Sequence, residues 1–101
     1  MIQSNINIAH DKLAEFCRRH HIRKLALFGS VLRDDFQPES DIDVLVEFDP
    51  AHIPGFAFIR VQDELSELLG GHEVDLVTPE FLNRRIRERV LAEAEVQYAE
   101  G

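Results

Sequence analysis

Apolar residues recur along the chain with two different periods, and the alternation of these periods predicts alternating helices and strands. Leu13, Phe16, Cys17 and His20 follow helical spacing and predict a first helix. The stretches KLALFG, DIDVLVEF and HEVDLV are short runs with apolar residues, which predicts three strands. Strands that alternate with helices indicate an α/β or α+β fold, in which helices cover a sheet.

The segments between and after these strands predict three further helices. A helix of one or two turns is expected at roughly residues 30–35. The next helix should end at Gly70 and Gly71, which suit a C-terminal cap. Its apolar stripe consists of Phe58, Val61, Leu65, Leu68 and Leu69. Thr78 and Pro79 fit the start of a last helix that reaches the end of the chain. Its apolar repeat consists of Leu82, Ile86, Val90 and Ala94.

Composition narrows the class of protein. A chain of 101 residues with 45% hydrophobic residues suits one domain over residues 1–101. No apolar run is long enough to span a bilayer, and MIQSNINIAHDKL does not resemble a signal peptide. The single cysteine, Cys17, cannot form an internal disulfide, so a reducing, cytoplasmic location is expected.

The net charge of −8 bears on the partners. It argues against direct nucleic-acid binding, which usually needs a basic face. A nucleotide accompanied by a metal ion is still compatible with it, and so is a basic protein partner. The charge also has a plain alternative explanation, which is that it keeps the protein soluble.

Two carboxylates stand in a strand that otherwise reads as a core strand. Asp41 and Asp43 are two residues apart, so both should point to one face, while Ile42 and Val44 face the core. Adjacent carboxylates repel, and burying them unpaired is costly. A divalent cation such as Mg²⁺, which prefers oxygen ligands, would resolve this conflict.

The third strand repeats the pattern, because Val74 and Leu76 should face one way and Asp75 the other. If this strand lies beside the second, Asp75 joins Asp41 and Asp43. Three carboxylates on neighbouring strands can hold one or two metal ions, an arrangement that serves phosphoryl transfer.

Gly29 and Ser30 supply a candidate phosphate site. Glycine permits a phosphate to approach the backbone, and Ser30 is expected where a helix begins. The segment is not a Walker A loop, because no Gly-Lys-Ser or Gly-Lys-Thr follows.

The segment GSVLRDDFQPESDID, with LALFGSVLR before it and EVDLVTPE downstream, carries a family resemblance. Gly-Ser, ten residues and Asp-x-Asp resemble the signature of the nucleotidyltransferase fold shared with DNA polymerase beta. The whole chain resembles the minimal nucleotidyltransferases, small proteins with a small mixed sheet of three or more strands covered by helices. Asp34 departs from the family, where many relatives carry glycine.

The resemblance implies an antitoxin that moves AMP from ATP onto a tyrosine hydroxyl of a cognate HEPN-domain ribonuclease toxin. It implies that Gly29 and Ser30 hold the triphosphate, with Arg33 on a phosphate. It further implies that Asp41 and Asp43 bind one or two Mg²⁺ ions. Asp75 would then be a third metal ligand or the base that takes the hydroxyl proton.

Two other functions stay open at this point. The protein could neutralise its partner by covering it, with no transfer. Transfer to a small molecule is the second alternative, although such enzymes usually add a substrate-binding domain.

Several residues also have structural explanations. Asp41 fits a strand-entry cap, Asp43 and Asp75 solvated edge positions, and Ser30 a plain N-cap. Arg33 fits a surface ion pair as well as a phosphate ligand. The arginines of NRRIRERV suit a solvated face paired with Glu88 and Glu93, or alternatively a docking surface; they are Arg84, Arg85, Arg87 and Arg89.

Overall fold

A computed structural model describes residues 9–32 and 41–100, apart from the side chains of Ser30 and Phe81. The helices are α1 (His10–Arg19), α2 (Phe58–Leu68) and α3 (Arg84–Glu93), and the strands are β1 (Ile22–Phe28), β2 (Ile42–Phe48), β3 (Val74–Val77) and β4 (Glu95–Ala99). Short 3₁₀ turns lie at Gly29–Leu32, Pro50–His52 and Pro79–Phe81.

The four strands form one mixed sheet in the order β3-β2-β1-β4. β1 is antiparallel to both β2 and β4, whereas β2 and β3 are parallel. Helix α2 is the crossover between the parallel strands, as a parallel connection requires. The predicted mixed sheet covered by helices is therefore confirmed.

The core lies between one face of the sheet and helices α1 and α2. Leu13, Phe16 and Cys17 of α1 are buried there, as the helical spacing predicts. Val61 and Leu65 of α2 are buried in the same cluster. On the strands, alternate residues face this core, and they include Leu25, Leu27, Ile42, Val44, Val46, Val74 and Leu76.

The prediction of a last helix reaching the end of the chain is wrong. Helix α3 ends at Glu93, the backbone becomes extended at Ala94, and β4 follows. Strand β4 pairs with β1, and Tyr98, opposite Leu25, packs against the core. The i, i+4 apolar repeat extends to Ala94, one residue past the end of α3. Within α3, Val90 is the one residue that is buried.

The predicted ends of the helices are partly confirmed. Gly70 and Gly71 both have positive φ, and their N–H groups donate to the carbonyls of Glu67 and Ser66, which is the expected C-terminal cap of α2. The start of α3 was predicted wrongly: Asn83, and not Thr78, caps it by accepting a hydrogen bond from the Arg85 N–H.

The adjacent histidines His20 and His21 contact different parts of the fold. The His20 ring lies 2.8 Å from a Glu64 carboxylate oxygen and contacts Phe16. His21 has a φ of 60° and stacks on His52 with ring centroids 3.9 Å apart. Both rings therefore help to join neighbouring elements.

Across residues 9–32 and 41–100, no helix is both long enough and apolar enough to cross a membrane.

Candidate active site

Asp43 lies at the centre of the candidate site. It is the second residue of β2, a strand whose alternate residues Ile42 and Val44 are fully buried in the core. Its cross-strand neighbours are Phe28 on β1 and Asp75 on β3. The burial of Ile42 and Val44 in the core therefore directs Asp43 to the opposite face of the sheet, where Asp43 is half-buried.

Asp75 is brought beside Asp43 by the parallel pairing of β2 and β3. The two residues are register partners, and adjacent strands lie about 4.8 Å apart. Asp75 is exposed, whereas Val74 and Leu76 on either side of it are buried, as predicted. The expectation that the third strand carries its aspartate next to the second strand is thus met by the backbone register.

Asp41 precedes β2 and shares the face of Asp43, because it stands two residues before it. The pairing of the strands already begins here, since the Ile42 N–H donates to the Glu73 carbonyl at 2.8 Å. This places Glu73, the residue just before β3, beside Asp41. Sequence reasoning missed Glu73, although its position two residues before Asp75 in HEVDLV was a usable signal.

Gly29 makes the turn that follows β1 and touches Asp43. Its φ is +78°, in the left-handed region that favours glycine. A Cβ atom on Gly29 would overlap Oδ2 of Asp43 and would lie 3.2 Å from its Cγ. Only a residue without a side chain allows the turn and the carboxylate to lie this close together.

Ser30 and Arg33 follow this turn. Ser30 belongs to the 3₁₀ turn Gly29–Leu32, which is held in place by the buried Val31 side chain. The predicted helix at roughly 30–35 is represented in the described chain by this 3₁₀ turn alone. Arg33 lies outside the described residues, so its predicted contact with a phosphate stays a prediction.

The residues present fit a divalent metal ion by their chemistry. Carboxylate oxygens are the ligands that Mg²⁺ prefers, and Asp43 and Asp75 occupy paired positions on one face of the sheet. In the part of the chain that the structure describes, no three His, Cys, Asp or Glu side chains converge on one point as a ready metal site. The assignment of Asp41, Asp43 and Asp75 as metal ligands therefore stays a prediction that the shared face supports.

An apolar cleft of about 940 Å³ lies away from the aspartates. Its walls come from the opposite end of the sheet, including Lys24 of β1 and Glu47 and Phe48 of β2. No predicted site residue lines it. Ile53 lines this cleft and has an exposed side chain. Nearby in the sequence, the side chain of Ile59 is also exposed and that of Phe56 is fully exposed.

The arginines near the start of α3 do not form a uniform surface. Arg87 folds back, and its Nη2 donates to the Leu82 carbonyl at 3.2 Å. Arg84, Arg85 and Arg89 are exposed. Within residues 9–32 and 41–100, none of the four arginines forms an ion pair with Glu88 or Glu93, so the expected pairing is wrong. The expected exposure to solvent is correct for three of the four.

Comparisons with known proteins agree with this geometry. A family model described as a nucleotidyltransferase domain matches residues 10–96. The protein adenylyltransferase MntA of Thermococcus cleftensis is 38% identical over 90 residues, which are 88% of this chain and 86% of that protein.

Two solved structures are also similar. A candidate minimal nucleotidyltransferase superposes with a TM-score of 0.70 at 35% identity, covering 84% of this chain and 85% of the other. A toxin–antitoxin structure with AMP-PNP superposes with a TM-score of 0.65 at 19% identity, covering 91% of this chain and 74% of the other. The second of these supports the fold alone.

Proposed function

Because the chain belongs to the nucleotidyltransferase domain family, we propose that it is an antitoxin that transfers AMP from ATP to a tyrosine hydroxyl of a HEPN-domain ribonuclease toxin. The observation that carries the proposal is the register of Asp43 opposite Asp75, with the backbone of Gly29 against Asp43. This arrangement gathers carboxylates from two strands beside a tight glycine turn at one end of the sheet.

The proposed reaction is a substitution at phosphorus. The tyrosine oxygen forms a bond with the α-phosphorus of ATP, and the bond from that phosphorus to the oxygen bridging to the β-phosphorus breaks. Pyrophosphate leaves with the bonding electrons. The hydroxyl proton passes to a carboxylate, for which exposed Asp75 is the candidate because it borders the site and is open to an incoming acceptor.

Asp41 and Asp43 would hold Mg²⁺, one or two ions, in this proposal, and Asp75 would be either a third metal ligand or the base. When bound, such ions neutralise phosphate charge and stabilise the attacking and leaving oxygens. The fold must also hold the carboxylates on one face of the sheet against their mutual repulsion. The two buried neighbours of Asp43, Ile42 and Val44, do this by anchoring β2 in the core.

The nucleotide would lie along the turn after β1. The close approach of the Gly29 backbone to Asp43 places the turn directly beside the carboxylate, which supports the roles proposed for Gly29 and Ser30. Arg33 is proposed to contact a phosphate. ATP as the nucleotide is supported by the similarity to the protein adenylyltransferase of Thermococcus cleftensis.

A protein acceptor is supported by the exposed apolar side chains of Ile53, Phe56 and Ile59. Large apolar side chains that are exposed near one another often mark a protein-binding surface. Residues 1–101 would act as one domain that joins the toxin in a hetero-oligomer. Direct nucleic-acid binding is not expected from a chain of net charge −8, and the proposed location is the cytoplasm.

The same exposed side chains favour one alternative, in which the chain neutralises the toxin by binding and masking it without transfer. Transfer to a small molecule is the weaker alternative, since an open site on so small a domain leaves an acceptor pocket to be completed by a partner.

The test is transfer of label from α-labelled ATP in the presence of Mg²⁺. The mixture contains this protein and the product of the adjacent gene, and the control is the double variant Asp41→Asn/Asp43→Asn. Label on the partner with the wild type, but not with the double variant or with EDTA, would establish transfer and its acceptor together. If the wild type and the double variant bind the partner equally tightly and neither labels it, transfer is refuted and the masking function remains.

A further inference from the structure

Strand β3, which carries Asp75, is short and lies at the edge of the sheet. It has four residues, from Val74 to Val77, and among the described strands it pairs with β2 alone. The backbone groups that point away from β2 therefore need partners from outside the sheet. A strand of this length with one neighbour has few interactions that fix its position.

Helix α2 supplies partners on that outer side. Oε1 of Gln62 accepts a hydrogen bond from the Leu76 N–H at 3.2 Å. One turn further along the helix, the Ser66 hydroxyl donates to the His72 carbonyl just before the strand. Residues four apart lie on the same face of a helix, so both side chains reach the strand from one direction.

The Gln62 contact is at the peptide bond that joins Asp75 to Leu76. The Glu73 carbonyl points to β2, where it accepts from Ile42, and backbone groups of alternate residues in a strand point to opposite sides. The Leu76 N–H accordingly points away from β2, towards Gln62. The peptide after Asp75 is thus held from the helix side, while the register with β2 holds the strand from the other side.

We propose that Gln62 is a positioning residue for Asp75. By fixing the Asp75–Leu76 peptide, it sets the height and direction of the Asp75 carboxylate relative to Asp43. Gln62 itself does not face the site, because it acts through the backbone of β3. The inference rests on the proposed function, since it assumes that Asp75 takes part in AMP transfer.

The decisive variant is Gln62→Leu, which removes the acceptor and keeps a residue that favours a helix. We expect kcat for AMP transfer to the adjacent gene product to fall on the order of tenfold, because a small misplacement of a reacting group lowers the rate strongly. The KM for ATP should stay unchanged, since the nucleotide is assigned to the turn at Gly29. Exchange of the Leu76 amide hydrogen should accelerate by roughly fivefold, the factor expected for one lost hydrogen bond.

Two further variants separate positioning from general stabilisation. Gln62→Glu keeps an acceptor oxygen at the same reach and should restore kcat and slow Leu76 exchange. Ser66→Ala removes the other contact, which lies three residues before Asp75, and should change kcat by less than twofold.

The outcomes distinguish this inference from the function on which it rests. No transfer by the wild-type protein would refute the proposed function and this inference with it. Normal kcat in Gln62→Leu together with faster Leu76 exchange would overturn the inference alone. An equal fall in kcat for Gln62→Leu and Ser66→Ala, or no recovery in Gln62→Glu, would also overturn it, because the helix would then be stabilising the strand as a whole.

Discussion

The substitution Gly29→Ala tests whether the turn after β1 exists to let the backbone lie against Asp43. Two costs arise from the structure. Alanine at a φ of +78° is strained by about 1–2 kcal/mol, partly offset by about 0.4–1 kcal/mol because alanine restricts the unfolded chain. The new methyl group would also overlap Oδ2 of Asp43 and force its carboxylate to rotate, at about 0.5–1.5 kcal/mol.

The overlap with Asp43 is the informative cost, and the comparison of Gly29→Ala with Gly71→Ala isolates it. Gly71 has a φ of +88°, but a Cβ atom there would meet nothing within 4 Å. Both variants therefore have the strain of alanine at a positive φ, whereas only Gly29→Ala displaces Asp43. Gly55→Ala, at a glycine with open space and no positive φ, serves as the neutral reference.

The assay combines urea unfolding with AMP transfer from α-labelled ATP. Gly29→Ala should be less stable than Gly71→Ala by about 0.5–1.5 kcal/mol in the free energy of unfolding. Its transfer rate should fall by about 100-fold, the effect of misplacing a reacting group by about 1 Å, while Gly71→Ala keeps most of its activity. Equal activity in the two variants at equal stability would refute the role assigned to Gly29.

Three further predictions concern the core and the surface. Leu65→Ala should lower the free energy of unfolding by about 2–5 kcal/mol in urea titrations, because a fully buried leucine leaves a cavity; a loss below about 1 kcal/mol would contradict the core described. Burial raises the pKa of the Cys17 thiol to about 12, so a thiol reagent at pH 8 should label Cys17 no faster than the protein unfolds, and rapid labelling of the folded protein would contradict this. The hydrogen bond from the His20 ring, followed by the charges of His20 and Arg19, lowers the pKa of Glu64. Ionised Glu64 therefore stabilises the fold fully above pH 4.5, its ordinary pKa, and this stabilisation is lost as the pH falls through the lowered pKa. The difference in the free energy of unfolding between wild type and Glu64→Gln should shrink on acidification. A difference that grew would contradict this sign.

Local alternation was enough to predict the direction of the candidate site residues. Asp43 between Ile42 and Val44, and Asp75 between Val74 and Leu76, follow the period of two that any strand with one buried face must obey. That these residues stand in two neighbouring strands was a hypothesis, and the parallel register of Asp43 with Asp75 confirms it. The register itself pairs residues more than thirty positions apart and could not be read from the local pattern alone.

Strand β4 shows where local reasoning fails. The sequence EVQYA has strand-like alternation, but it follows a helical repeat without an intervening glycine or proline. Its partner, β1, lies about seventy residues earlier, so the pairing depends on a contact that no local pattern encodes. The same limit applies to Gln62, whose contact with Leu76 joins a helix to a strand through a half-buried side chain that reads as an ordinary polar position.

The strand order also sets a sequence of events during synthesis. Gly29 directly follows β1 and Asp41 directly precedes β2, while β2 and β3 carry Asp43 and Asp75. All four residues therefore precede α3 in the chain. Strand β4 covers the other edge of β1 and leaves the ribosome after the elements that carry the proposed site residues. The carboxylate face can therefore assemble on a growing chain through nearby pairings, which close quickly, before the slow distant pairing of β1 with β4 completes the sheet. A chain cut short within α3 would retain every proposed site residue and yet leave one side of its central strand open to aggregation.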